Sequence, residues 1–197
     1  IVSRDWSSDV CSSDLANITV VTIDPKGVEG VYRTMRLIGD AVGGSAPAAQ
    51  LVASVRADMA RLVALIPAGA RPKVFYEIDA TSTIYGLAPD DYAAELIRLA
   101  GGEPVTSGSP GVYEIALEKL VAAAPEVIVL GDAAYGTTAE AVTARPGWSA
   151  IPAVSGGAIR PVDGDLVTTP GPRLAAALAA LISAINPGIS VPTISTP

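Results

Sequence analysis

Apolar and polar positions divide the chain into stretches of different period. Val28, Val31, Tyr32, Met35, Ile38 and Val42 recur at steps of three and four, one stripe of an amphipathic helix. The stretch 43–47, GGSAP, stops that helix and starts another, with Ser45 or Ala46 as cap and Pro47 near its first turn. Leu51, Val55, Met59, Leu62 and Ile66 form the second stripe. At 1.5 Å per residue the second helix is roughly 30 Å long, a rod for a chain of this size. Ahead of both lies NITVVTIDP (residues 17–25), rich in β-branched residues and closed by Asp-Pro, which predicts a buried strand.

Beyond Arg71 short apolar runs alternate with helical stripes. KVFYEI (73–78), EVIVLG (126–131) and GAIRPV (157–162) read as strands, the second with the continuous apolar run that a parallel sheet requires. Helices are predicted from Asp90 or Asp91 to Ala100, near 115–124, at about 138–144 and over 172–185. Residues 80–89, 106–113 and 163–173 read as loops, and the Pro-rich tail as frayed. The order predicts an α/β fold: a long helix, then a Rossmann-like lobe with a parallel sheet.

One stretch fits neither period. DWSSDVCSSDL (5–15) holds Cys11, the chain's single Cys, and one of its two Trp. It back-translates into a string that resembles a widely used sequencing-library adapter. Residues 1–15 are therefore set apart as adapter-derived, against the plainer reading of a Ser-rich tail. About 182 of the 197 residues then belong to the natural chain.

Half of the residues are hydrophobic, enough for a sizeable core. A net charge of −7 argues against nucleic acid, which needs a basic face. The chain has no His, and no Cys beyond residue 11, so thiolate and imidazole metal sites and Ser-His or Cys-His nucleophiles are excluded. No run of 18 apolar residues exists. Asp90/Asp91 and Asp163/Asp165 are the close carboxylate pairs, read as turns or caps before catalysis. No catalytic residue and no cofactor is expected.

Four segments stand out: 77–87, 108–113, 131–135 and 163–173. They carry Tyr85, Tyr113, Tyr135 and Asp165. Loops after strands lie at the carboxyl edge of a parallel sheet, where open α/β folds bind ligands. Three phenols and a carboxylate on one face suit a large flat ligand; the plainer reading of each Tyr is a half-buried loop anchor.

DPKGVEGVYRTMRLIGDAVG, AELIRLAGGEPV, LEKLVAAAPEVIVLGD and RPGWSAIPAVSGGAIRPVDGDLVTTPGPRLAAAL, in this order, resemble the helical-backbone substrate-binding proteins of ABC importers. This group delivers cobalamin, ferric siderophores and haem. The resemblance implies two α/β lobes joined by one long helix. It places residues 16–45 as a remnant of the first lobe, 46–68 as the backbone helix, 69–187 as the second lobe and 188–197 as a tail. Most of the first lobe, roughly 100 residues at domain scale, would be missing.

Site residues follow from the same resemblance. Glu118 matches a Glu that docks the lobe into an Arg pocket of the permease; the plainer reading is a solvated helix face. Glu114 and Glu118, four apart, would repel on one helix, which favours a partner for Glu118. Asp165 matches an Asp that faces the ligand in cobalamin members. Val112 and Tyr113 stand where those members carry a Trp. Arg173 is a ligand contact or a cap partner, and the start of the last helix offers N–H groups to an anionic group. Few cations, Arg173 with Arg160 nearby, favour cobalamin or another corrinoid over a ferric siderophore, whose anionic forms want several Arg or Lys. Haem stays within the group. No metal is held directly by the protein, since a chelate arrives with its metal enclosed. The implied partners are the chelate and an ABC permease dimer; the implied location is extracytoplasmic, in the periplasm or lipid-anchored, peripheral to the membrane. A chelatase-like enzyme on the same bilobed fold is the other reading, disfavoured by the missing His and Cys.

Overall fold

A computed structural model of the chain describes residues 21–23, 25–69 and 71–194. The expected adapter-derived segment lies outside the described residues. So does most of the strand expected over 17–25; its described part, residues 21–23 and 25, carries no regular structure.

Two helices open the described chain, α1 (Gly27–Ala41) and α2 (Ser45–Val63). Val28, Val31, Tyr32 and Met35 of α1 are buried, as expected, and so are Val55, Met59 and Leu62 of α2; Val52 is buried in place of the half-buried Leu51, and Ile66 lies beyond the end of α2. The α1 stripe ends early. Ile38 and Val42 are exposed, and the contact with α2 is made there by Gly39 instead, which meets the buried Ala48 side chain so closely that no Cβ would fit. At 19 residues α2 spans roughly 28 Å.

The second part alternates strand and helix: β1 (Lys73–Glu77), α3 (Tyr92–Leu99), β2 (Glu103–Val105), α4 (Leu117–Ala123), β3 (Val127–Leu130), α5 (Ala139–Thr143), α6 (Pro152–Ser155), β4 (Ile159–Pro161), α7 (Gly164–Thr168) and α8 (Leu174–Ile185). All four strands are parallel, in the order β2-β1-β3-β4. Phe75 stands opposite Ile128, and Ile128 opposite Ile159.

Side chains alternate across the sheet and divide the interior in two. Val74, Tyr76, Val127 and Val129 join α1, α2, α3 and α8 in one core. Phe75, Ile128, Leu130 and Ile159 join Leu120, Trp148 and Ile151 in the other. The Ala/Leu helix α8 is buried along most of its length, against α2, α3 and α7, so the long helix α2 and the sheet's helices share one interior. Each fully buried Leu of it, such as Leu178 and Leu181, contributes about 1.5–3 kcal/mol of apolar burial.

Three elements were not read from the sequence. β2 is only three residues long with Pro104 at its centre, which masks a strand signal yet is tolerated because β2 is an edge strand. α7 occupies the stretch read as loop at 163–173, and α6 with a 3-10 turn (Trp148–Ala150) occupies RPGWSAIPAV; all are too short to show a helical period.

Candidate ligand face at the carboxyl edge of the sheet

Each of the four segments singled out from sequence follows one strand, so all four emerge at the carboxyl edge of the sheet. Along the strand order the residues run Tyr113, Tyr85, Tyr135 and Asp165. Loops after β2 and β1 are stitched together by backbone bonds. Gly86 N donates to Tyr113 O at 2.9 Å, and Ile115 N to Ile84 O at 3.0 Å. Tyr85 is tied to its own strand as well, since Ile78 N donates to its carbonyl at 2.8 Å. Tyr85, Val112 and Tyr113 are each partly exposed on this stitched pair. Burial, then the neighbouring Asp91 carboxylate, raise the Tyr113 phenol above its ordinary value. Tyr113 is therefore partly seated, while Tyr135 is 80% exposed.

The other two segments meet through side chains. The Tyr135 hydroxyl donates to Asp165 Oδ1 at 3.4 Å, a long bond at the rim. Both residues stand on turns built by neighbouring carboxylates. Asp163 caps α7 by accepting from Leu166 N at 3.1 Å, so Asp-x-Asp here is one cap and one free-standing rim carboxylate. Asp91 caps α3 in the same way, accepting from Ala93 N at 2.7 Å, and Asp90 accepts from Gly111 N at 2.9 Å.

Three expectations change. Glu114 is not on the helix with Glu118: α4 begins at Leu117, and Glu114 bridges to Tyr85 in extended backbone, so the helical repulsion between them does not exist. Glu118 lies exposed in the first turn of α4, where a negative charge is favoured by the helix dipole whatever its partner. Arg160 turns to the Gly157 carbonyl at 2.8 Å, near the amino end of β4, and leaves this edge. Arg173 remains there, at the N-cap position of α8, without a side-chain cap bond.

Below the rim lie polar residues that sequence reading missed. Glu77, the last residue of β1, is fully buried and held by Arg145. Asp132 and Tyr76 are buried beside it, with Asp132 Oδ1 and the Tyr76 hydroxyl lacking partners among the described residues. Burial and surrounding carboxylates push the Tyr76 phenol far up, so it stays protonated. A charged residue closing a buried strand is the one sequence signal that marked Glu77. Among the described residues no group of His, Cys, Asp and Glu is arranged to hold a metal ion, and no helix is long and apolar enough to cross a membrane.

The edge is acidic. Asp79, Asp90, Asp91, Glu114, Asp163 and Asp165 lie in or beside its loops. Of the cations there, Lys26 faces Asp90 at 3.7 Å and Lys119 bonds the Ser107 carbonyl; among the described residues Arg173 is the rim cation whose side chain makes no hydrogen bond or ion pair.

Comparison with known proteins gives this geometry a family. The chain is 32% identical over 176 residues to an uncharacterised ABC transporter substrate-binding lipoprotein, YvrC, of Bacillus subtilis (strain 168). That match covers 87% of this chain and 55% of the relative, so the chain spans about half of its length. Among solved structures, the periplasmic haem-binding protein BhuT, determined with two haems, is 27% identical at a TM-score of 0.76, covering 87% of this chain and 68% of that one. A possible iron-binding periplasmic protein of Staphylococcus epidermidis shares the fold at a TM-score of 0.78 and 23% identity, covering 89% and 69%. The periplasmic binding protein family model matches residues 1–166. With its parallel sheet, the long helix α2 and this match along most of its length, the chain belongs to the periplasmic binding protein family.

Proposed function

We propose that the chain serves as the substrate-binding component of an ABC importer, outside the cytoplasm, and that the carboxyl edge of its sheet forms one wall of a cleft for a metal chelate. Its role is binding and delivery rather than catalysis. The observation that carries this reading is the row Tyr113, Tyr85, Tyr135 and Asp165, four residues far apart in sequence on four successive strand ends. Phenol faces offer flat apolar area with a polar tip, which suits a macrocycle or an organic chelate.

The relatives named above include proteins named for haem and for iron, and a shared fold extends to a ferric hydroxamate transport protein of Saccharomonospora viridis. They support an iron-related chelate. Charge narrows the class: with Arg173 as the rim cation among many carboxylates, an uncharged or cationic chelate is favoured over a polyanionic catecholate. Ferric hydroxamates and corrinoids meet that condition. The corrinoid preference rests on this charge argument and on the position of Asp165. Glu118, exposed on the same side of the lobe as the loop that precedes α4, is the proposed contact to the permease.

Titration of the chain with ferric desferrioxamine, cyanocobalamin and haemin, followed by quenching of Tyr and Trp emission, tests this reading. Saturable quenching by at least one of them, weakened by Asp165→Ala, supports it. Equal, unsaturable responses to all three, unchanged by Asp165→Ala, contradict it.

A further inference from the structure

The polar cluster under the rim has a geometry that core packing alone does not require. Glu77 points to the Phe75 side of the sheet, into a core otherwise made of Phe75, Ile128, Leu130 and Trp148. Arg145, which follows α5, reaches it across 68 residues of sequence. Its Nη1 donates to Oε2 and its Nη2 to Oε1, each at 2.7 Å. The guanidinium lies over the Trp148 ring, 4.5 Å from its centroid, and Trp148 in turn meets Phe75 edge-on at 6.5 Å.

A second carboxylate completes the cluster. Asp132 follows Gly131, whose N–H donates to the Glu77 carbonyl at 2.9 Å, and is itself buried; its carboxylate acts on Glu77 as a like charge. Asp132 also builds the turn that follows β3. Its Oδ2 accepts from Thr137 Oγ1 at 2.6 Å, and its backbone carbonyl accepts from Tyr135 N at 2.9 Å. The guanidinium thus compensates Glu77, while Asp132, the carboxylate that belongs to the turn, is bonded to Thr137 and to no cation among the described residues. Among the groups acting on Glu77, Arg145 is the cation and Asp132 the like charge. On the other side of β1, Tyr76 faces Asp132, Asp163, Asp91 and Asp165, which add no positive charge.

We propose that Arg145 is a positioning residue for the ligand face: by neutralising Glu77 it keeps Asp132 seated, and through Asp132 it fixes the turn at residues 131–137 that offers Tyr135 to Asp165. The claim that this turn contacts ligand rests on the proposed function, but the positioning itself does not. Without Arg145, Glu77 and Asp132 face each other as like charges in a site shielded from water, where such repulsion is strong. Glu77 cannot move, since it closes a central strand whose carbonyl accepts from Gly131 N at 2.9 Å. Asp132 is at the start of a turn and gives way first. The turn then loosens while the sheet stays.

Amide hydrogen exchange on the intact chain at several pH values tests this without any ligand. The comparison is between Arg145→Met and the double variant Glu77→Gln/Arg145→Met. In Arg145→Met, exchange over residues 131–137 should rise roughly tenfold or more against wild type after correction for intrinsic rate. The rise should grow with pH, as Glu77 loses its proton, and spare β1 and β3. The double variant removes the unpaired charge and should return the turn to within about threefold of wild type. Equal loosening in both variants would show that Arg145 acts only by packing on Trp148, and would overturn the proposal. A turn that stays protected in Arg145→Met would overturn it too. Should Arg145→Met not fold, Arg145→Gln, which removes the charge but keeps a polar side chain of similar reach, makes the same comparison with Glu77→Gln/Arg145→Gln. Failure of every chelate to bind would count against the proposed function and leave this comparison untouched.

Discussion

Gly164 lies so close to the Gly131 carbonyl that a Cβ on Gly164 would stand 1.9 Å from that oxygen. Gly131 in turn has no room for a Cβ, which would meet the Tyr76 hydroxyl at 2.3 Å. The first residue after β3 and the first of α7 are thereby pressed together, and this brings Tyr135 within reach of Asp165. Gly164→Ala should push α7 outward, break the Tyr135–Asp165 contact and cost about 1–3 kcal/mol as an overpacking change. Urea unfolding measures the cost; a crystal structure of the variant would show whether the rim opens. A variant as stable as wild type with the rim pair intact would show that the close approach is incidental.

Glu77 is held above its ordinary value, first by burial and then by Asp132, with Arg145 opposing. A carboxylate with a raised folded value binds its proton more tightly in the folded chain. Its contribution to stability is complete below the unfolded value, about 4.5, and is lost as pH rises through the folded one. The difference in stability between wild type and Glu77→Gln should therefore fall with pH above about 4.5. Chemical unfolding of both proteins at stepped pH gives that difference directly. A difference that rises with pH would mean that the Arg145 bond dominates burial.

Glu118→Arg and Asp165→Ala should separate docking from binding. Glu118 is in α4, and Asp165 in α7 at the far end of the strand order. On the proposed docking of Glu118 to an Arg pocket of the permease, charge reversal replaces attraction by repulsion, a penalty of several kcal/mol where water is excluded. Uptake by vesicles carrying the permease should then collapse while chelate affinity holds. Asp165→Ala should weaken the chelate by about 1–2 kcal/mol, roughly five- to thirtyfold, and spare docking. Equal loss of affinity in both variants would refute the division.

Phe75→Ala empties the centre of the core on the Trp148 side and should cost about 3–5 kcal/mol. Phe75 is fully buried and meets Trp148 edge-on, so Trp148 emission should shift to the red as water enters. Calorimetry with emission spectra checks both; a loss below 1 kcal/mol would mean that the two sides of the sheet collapse around the gap.

Much of the fold was legible because long periodic segments carry their own evidence. The stripes of α1 and α2, the apolar run of β3 and the Ala/Leu surface of α8 each repeat often enough to be read alone. β2, α6 and α7 are shorter than one repeat of their own pattern and depend on neighbours for their existence. At the site, the rim residues were legible because loops after parallel strands must share one edge. The layer below was not. Glu77, Asp132 and Arg145 are 55 or 68 residues apart along the chain from Glu77, and nothing local marks them as partners. Glu114 shows the opposite failure: spacing alone put it on a helix with Glu118, while backbone pairing to Tyr85 holds it in an extended segment.

The central claim, that the carboxyl edge of the sheet is the ligand face, is tested most directly by mapping. Backbone amide shifts of the chain are recorded during titration with cyanocobalamin and with the gallium form of desferrioxamine, a diamagnetic stand-in for the ferric chelate. Even a weak complex reports its location this way. The account predicts shifts concentrated at Tyr85, Val112, Tyr113, Tyr135 and residues 165–173 with at least one of the two. Shifts centred on the opposite edge of the sheet, or none up to millimolar chelate, would contradict it.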